Sequence, residues 1–225
     1  MKNFEYAQPR SEREAIVALN EPRKRAIVFA GGTDLMPLME RMVVAPDRVV
    51  NIGEIDSLKE ISQDAEGNTW IGAGVHLDEF TVHPASKRCP SLVQVIEGIS
   101  SVQLQSQGTV VGELLRRPTC WYFRAGHGLL ANQGRMIVEG DNRYHAILGN
   151  RGPAKFVNAS RLAPAMIALG AYVRIIGPDP DSEEFLDIER LYQTPRTAEE
   201  IENVLKPGQL VTHVVIPQRV RALNA

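Results

Sequence analysis

Cysteine is scarce in this sequence: Cys89 and Cys120 are the two thiols in 225 residues. Two thiols exclude a disulfide-stapled scaffold, and any zinc or iron–sulfur site built from the cysteines of this chain alone. An excess of either charge is lacking as well. Twenty-five Lys and Arg stand against 27 Asp and Glu, a formal net charge of −2, which leaves no electrostatic footprint for nucleic acid or an anionic membrane. The one basic run, Arg23-Lys24-Arg25, is short, precedes an apolar stretch and reads as a solvated loop. No stretch approaches the roughly 18 uncharged apolar residues of a membrane span. The N-terminal segment lacks the apolar region of a signal peptide. The expectation is a cytoplasmic protein that engages neither nucleic acid nor membrane. Repeats and low-complexity tracts are missing too.

What is present is ordinary for a globular chain: 44% hydrophobic and 23% charged residues. At this length folding buries roughly 70% of the extended surface, enough for a core without disulfide or metal. Phe4 to Ala7 reads as a short strand, and Ser11 as the N-cap of a helix through Leu19, with Glu14 at capping-box spacing and Ala15, Ile16 and Leu19 inward. Ala26 to Ala30 is a continuous apolar run, expected as a strand buried on both faces. A helix from Leu35 to Met42 and a strand from Arg48 to Ile52 follow, an alternation that favours a small parallel sheet. The composition then shifts. A hairpin is expected over Ile61–Gln63 and Thr69–Gly72, a helix from Pro90 to Ile99, a helix from Ala163 to Leu169 running into a strand from Ala171, and a last strand from Leu210 to Ile216. The stretch from Gln103 to Arg151 is polar and glycine-rich and carries no clear period. A boundary near residue 53 divides an expected α/β subdomain, 1–52, from a larger α+β subdomain, 53–225.

Two glycine-containing segments have the composition of ligand loops. Ala30-Gly31-Gly32-Thr33-Asp34-Leu35 lies between the apolar strand and a helix, where free amides can form an anion-binding concavity suited to phosphate. The plainer reading is a strand-to-helix turn capped by Thr33 or Asp34. Gly108-Thr109-Val110-Val111-Gly112-Glu113 is the second, followed by Arg116-Arg117-Pro118-Thr119-Cys120-Trp121-Tyr122-Phe123-Arg124. Its three aromatic residues read more readily as core than as a cofactor box. The five histidines, His76, His83, His127, His145 and His213, have no metal-ligand spacing, and no metal site is expected.

In order along the chain stand AGGTDL, GAGVHLDEF (Gly72 to Phe80), GTVVGELLRRPTCWYFR, GDNRYHAILGN (Gly140 to Asn150) and SRLAPAMIALGA (Ser160 to Ala171). This series resembles the FAD-binding subunit of the molybdenum hydroxylases, the xanthine dehydrogenase and carbon monoxide dehydrogenase flavoprotein family, in the branch with an inserted segment after RPxCWYFR. The resemblance implies a two-subdomain α+β fold with FAD between the subdomains. It implies that Ala30, Gly31, Gly32, Thr33, Asp34 and Leu35 hold the pyrophosphate, beside Gly108, Thr109, Gly112 and Glu113, with Arg161 and Leu162 of the last motif close by. It also implies electron transfer from an iron–sulfur subunit to an acceptor such as NAD, in a complex with a molybdopterin-binding subunit. Redox chemistry would belong to the flavin, so no catalytic side chain is expected.

The sequence departs from the family pattern in four places. Val111 stands where a glycine is usual, and Glu113 where an asparagine is; an ionised carboxylate only accepts hydrogen bonds and repels phosphate. Arg161 replaces an acidic residue, and an ion pair with Glu113 is one expectation. Relatives carry cysteines for a [4Fe–4S] cluster in the inserted segment, whereas only Cys120 stands here and reads as a buried small hydrophobe. The sequence ends at Ala225, where relatives continue into a C-terminal flavoprotein domain. These departures keep a second reading open: a cofactor-poor relative acting as a structural or assembly module. Iron and acid-labile sulfide assays on anaerobically purified protein are expected to detect neither element, and roughly four irons per chain would refute the ligand argument.

Overall fold

The computed structural model describes residues 1–218; residues 219–225, the tail of the second expected subdomain, lie outside the described residues. Strands β1 (Glu5–Ala7), β2 (Ala26–Phe29) and β3 (Arg48–Asn51) form a parallel sheet in the order β1-β3-β2. Parallel neighbours need crossovers, supplied by helices α1 (Glu12–Leu19) and α2 (Leu35–Glu40). Ser11 caps α1, its Oγ accepting from the Glu14 amide at 3.2 Å. The Glu14 carboxylate reaches back to the Arg10 amide at 2.9 Å, and Ala15, Ile16 and Leu19 are buried.

Two local expectations need correction. The strand buried in the middle of this sheet is β3, through Val49 and Val50; β2 lies at the edge and is half-buried throughout. Its apolar run is explained by the cavity it borders rather than by packing on both faces. Helix α2 stops at Glu40 rather than Met42, because Met42 takes a φ of 58° and the Val43 amide turns back to the Leu38 carbonyl at 2.9 Å.

A second, antiparallel sheet contains β4 (Ile61–Gln63), β5 (Thr69–Gly72), β6 (Tyr172–Ile176), β7 (Glu183–Asp187) and β8 (Leu210–Ile216), in the order β4-β5-β8-β6-β7. Asp64 organises the β4–β5 turn: its carboxylate accepts from the amides of Glu66 and Asn68 and from the Trp70 indole at 2.8–3.0 Å. The edge strand β7 has the sequence Glu-Glu-Phe-Leu-Asp and is mostly exposed, so it offers no apolar alternation to read. Short helices fill the connections: α3 (Leu77–Val82), α4 (Pro90–Glu97), α5 (Val102–Gln107), α6 (Val110–Leu114), α7 (Trp121–Arg124), α8 (Arg135–Glu139), α9 (Ala163–Ala168) and α10 (Ile188–Leu191). The fold is thus α+β, with a small parallel sheet and a larger antiparallel one. A single buried cluster draws on both sheets, joining Ile16, Val50 and Ile52 to Phe80, Leu114, Met166, Val173 and Val214. Among the described residues no helix is long and apolar enough to cross a membrane.

The two glycine-containing segments touch through backbone. A Cβ on Gly31 would lie 1.7 Å from the Gln107 carbonyl oxygen, so only glycine permits this approach. Gly31→Ala is expected to cost about 1–3 kcal/mol and to lower Tm by several degrees. Gly152→Ala, which meets nothing within 4 Å, is expected to stay within about 2 °C of the wild type. Equal melting temperatures for the two variants would refute the contact.

Candidate functional site

Strand β2, the turn after it, the start of α6 and residues 199–211 enclose a cavity of about 630 Å³, within the range of small-molecule sites. Ala30, Gly31, Gly32, Thr33, Asp34 and Leu35 line it, joined by Thr109, Val111 and Gly112 from the second loop. The second loop is fixed by the GAGVHLDEF segment: the Leu77 amide donates to the Gly108 carbonyl at 2.9 Å and the Val110 amide to the Val75 carbonyl at 3.0 Å. Gly32 has a φ of +69°, and a Cβ there would meet the Phe29 ring at 2.6 Å. The amides of Gly31, Gly32, Thr33, Asp34 and Leu35 have no hydrogen-bond acceptor among the described residues. Successive unpaired amides beside a helix start form a donor-lined concavity.

Neither Thr33 nor Asp34 caps α2. Asp34 occupies the cap position without a side-chain cap bond, because its carboxylate is engaged elsewhere. One oxygen accepts from the Arg117 amide at 3.0 Å and the other from the Arg124 guanidinium at 2.7 Å. Arg124 also donates to the carbonyls of Pro118 and Arg117, both at 2.8 Å. The Phe123 ring lies against both guanidiniums, 5.1 Å from Arg117 and 5.8 Å from Arg124. Arg117 in turn pairs with Glu202, a carboxylate only 6% exposed. Burial pushes the Glu202 carboxyl above its ordinary range, with the Arg117 charge opposing. Sequence reasoning missed these partners. The arginines were visible in RRPTCWYFR without a sign that they meet Asp34, and nothing in the local sequence of Glu202 marks it.

The remaining expected site residues lie off the cavity. Gly108 is buried with its carbonyl engaged by Leu77, and Leu162 is fully buried in the core. Arg161 is exposed. The expected Glu113–Arg161 ion pair is replaced by one between Glu113 and Arg116 at 3.6 Å, a turn further along the chain, while Arg161 offers Glu113 its backbone amide at 3.4 Å. Thr109 caps α6 through its hydroxyl, which accepts from the Gly112 amide at 3.1 Å. Cys120 also differs from expectation. It is half-buried, with Sγ 3.1 Å from His145 Nε2, whereas Cys89 is the thiol sealed in the core. Trp121 and Tyr122 are half-buried and only Phe123 is core. Among the described residues no cluster of three or more His, Cys, Asp or Glu side chains is placed to hold a metal ion.

Burial raises the Glu113 carboxyl above its ordinary value of 4.5, against the nearby Arg116 and Arg161 charges. In the window above 4.5 the folded state therefore binds more protons than the unfolded state, and stability is lost as pH rises through it. Glu113→Gln removes this titration, so its Tm relative to the wild type is expected to rise as the pH of thermal melts is raised from about 4.5 to 8. A pH-independent difference would contradict the burial of the charge.

The family model described as the FAD binding domain in molybdopterin dehydrogenase matches residues 2–219. The chain is 30% identical over 224 residues to the aldehyde oxidoreductase FAD-binding subunit PaoB of Escherichia coli (strain K12), covering 96% of this chain and 69% of that protein. It is 31% identical over 113 residues to the carbon monoxide dehydrogenase medium chain of Hydrogenophaga pseudoflava, covering 49% of this chain and 39% of that one. Among solved structures, the carbon monoxide dehydrogenase from Hydrogenophaga pseudoflava that lacks the Mo-pyranopterin moiety matches with a TM-score of 0.67 at 19% identity, over 96% of this chain and 59% of that chain. Quinoline 2-oxidoreductase from Pseudomonas putida 86 matches with a TM-score of 0.65 at 22% identity, over 99% of this chain and 61% of that chain. The structural likenesses establish the fold, and this chain spans about 60% of the solved chains it matches. Together with the sequence match over nearly its whole length, they show that the chain belongs to the family of FAD-binding domains in molybdopterin dehydrogenases.

Proposed function

We propose that the cavity between β2, α6 and residues 199–211 holds FAD, and that the protein serves as the flavoprotein subunit of a molybdenum hydroxylase-type oxidoreductase. The observation that carries this reading is that Gly31 to Leu35, whose amides have no acceptor among the described residues, line a cavity of about 630 Å³. Such donors match the charge and geometry of a pyrophosphate. Gly31 and Gly32 allow the turn to pack against the Gln107 backbone and the Phe29 ring, and Thr109 and Gly112 line the same cavity. Asp34 contributes indirectly: its carboxylate faces Arg117 and Arg124 and so fixes the loop without presenting a free charge to phosphate. Glu113 is likewise turned toward Arg116 and off the cavity, which removes the repulsion its sequence position suggests.

FAD held by Gly31 to Leu35 with Thr109 and Gly112 would supply the redox chemistry of the proposed complex, in which an iron–sulfur subunit would be the electron source and NAD or a similar molecule the acceptor. A molybdopterin-binding subunit completes the proposed complex. This chain's residues bind and orient. Val111 is the one departure that lines the cavity, 4% exposed. Its branched side chain favours the second reading, a cofactor-poor structural or assembly module.

FAD titration, followed by flavin fluorescence, separates the two readings. The wild type is expected to bind weakly. Val111→Ala, which trims bulk and keeps a good helix former, is expected to tighten binding about tenfold, or ~1.4 kcal/mol. Asp34→Ala, which frees the loop from Arg117 and Arg124, is expected to weaken it by a similar factor. No binding by either the wild type or Val111→Ala would establish the cofactor-poor reading.

A further inference from the structure

The inserted segment brings one thiol against one imidazole. Cys120 immediately precedes α7 and is half-buried, with Sγ 3.1 Å from Nε2 of His145, which lies 25 residues further along the chain. His145 is 8% exposed and its Nδ1 is buried with no hydrogen-bond partner among the described residues. The ring is held by packing instead: edge-on to Trp121 at 5.3 Å and 83°, and tilted against Tyr122 at 5.8 Å. The Tyr122 hydroxyl accepts from the Asp141 amide at 2.9 Å, and the His145 amide donates to the Asn142 carbonyl at 3.0 Å, which pins the loop carrying the histidine. With Nδ1 unpartnered, no outside group dictates the ring's tautomer, and Nε2 is aimed at the thiol. The Asp141 carboxyl is held below its ordinary range first by the Arg143 guanidinium and last by the His145 ring.

A nucleophile in hydrogen-bond reach of a base fixed in orientation is the minimum arrangement for an activated thiol. We propose that Cys120 and His145 form a reactive pair that exchanges with low-molecular-weight disulfides. The His145 Nε2 takes the thiol proton as Cys120 Sγ attacks one sulfur of the disulfide. A new bond forms between Sγ and that sulfur, the original sulfur–sulfur bond breaks, and the departing thiolate leaves as a thiol with the proton from His145. One disulfide is consumed and one mixed disulfide and one thiol are produced, with no further oxidant. Cys89 cannot take part: it is 2% exposed and burial pushes its thiol above the ordinary range.

The test measures reaction of the native protein with dithiobisnitrobenzoate, alongside free glutathione at the same pH. One thiol per chain is expected to react, at least about tenfold faster than glutathione. Cys120→Ser should abolish the fast phase, and His145→Gln should slow it by at least about tenfold while Cys89 stays unreactive. Incubation with glutathione disulfide, followed by mass spectrometry of peptides, should place the mixed disulfide on Cys120. A wild-type rate no faster than glutathione would overturn the proposal without recourse to any variant. A fast phase that survives His145→Gln would overturn the role of the imidazole.

Discussion

The Asp34 carboxylate is the contact on which the geometry of the cavity depends. It sits at the end of the glycine turn and reaches across to the Arg117 amide and the Arg124 guanidinium, more than 80 positions away in sequence. Hydrogen bonds to charged groups contribute about 1.5–3 kcal/mol each, roughly twice the neutral kind. Because Asp34 is spent on the arginines, it does not cap the amides before and beside it, which have no acceptor among the described residues and belong to residues that line the cavity. Arg117 then extends the same network to Glu202, which places residues 199–211 as the far wall. Loss of the carboxylate would leave the half-buried Arg124 guanidinium without its acidic partner and the Arg117 amide without its acceptor, while the Arg117 guanidinium keeps Glu202.

The acidic residues of the site differ in how they are managed. Asp34 is balanced by the Arg124 guanidinium at 2.7 Å and the Arg116 guanidinium at 3.9 Å, and accepts from the Arg117 amide, all from one segment. Glu113 is held by a neighbour a turn away and by a backbone amide. Glu202 lies deepest and has Arg117 alone as a counter-charge among the described residues, and burial raises its proton affinity against that charge. Buried carboxylates of this kind cost desolvation energy that is only partly returned by a single ion pair. All three sit within one connected patch of charge around Arg116, Arg117 and Arg124, which fits a wall that must be polar behind and open in front.

Much of the fold could be read from local signals. The Ser11 cap, the apolar faces of α1 and α4, the Asp64 turn and the strand β8 each declare themselves through residues close in sequence. The edge strand β7 did not, because an exposed strand needs no apolar alternation. The glycine turn was legible as a strand-to-helix turn for the same local reason, since its two glycines and the amides without an acceptor among the described residues fall within five positions. The partners of Asp34 and Glu113 were not, because they depend on how segments far apart in the chain are brought together. Arg161 illustrates the difference: its identity suggested a charge partner for Glu113, whereas the backbone places its amide there and sends the guanidinium to solvent. The inserted segment was the least readable. Its polar, glycine-rich composition gave no period, and the contact of Cys120 with His145 spans 25 positions.

The shared core has a kinetic meaning for whatever occupies the cavity. Ile16, Val50 and Ile52 from the first sheet's side are packed into the same buried cluster as Val173 and Val214 of the second. Apolar packing at native density is stiff, so the two sheets cannot swing apart like jaws to admit a ligand. Entry and escape must proceed by threading past the rim. Residues 199–209 of that rim lie outside the named strands and helices. They are tied down by the Gln193 side chain, which donates to the carbonyls of Ile201 and Asn203 at 3.1 and 2.9 Å, by the Gln193 and Val204 amides, which donate to the carbonyls of Glu202 and Leu191, and by the Arg117–Glu202 pair. The lifetime of a bound molecule would then be set by how often these ties let go together, with Gln193, far from the glycine turn, holding the segment through both its side chain and its backbone amide.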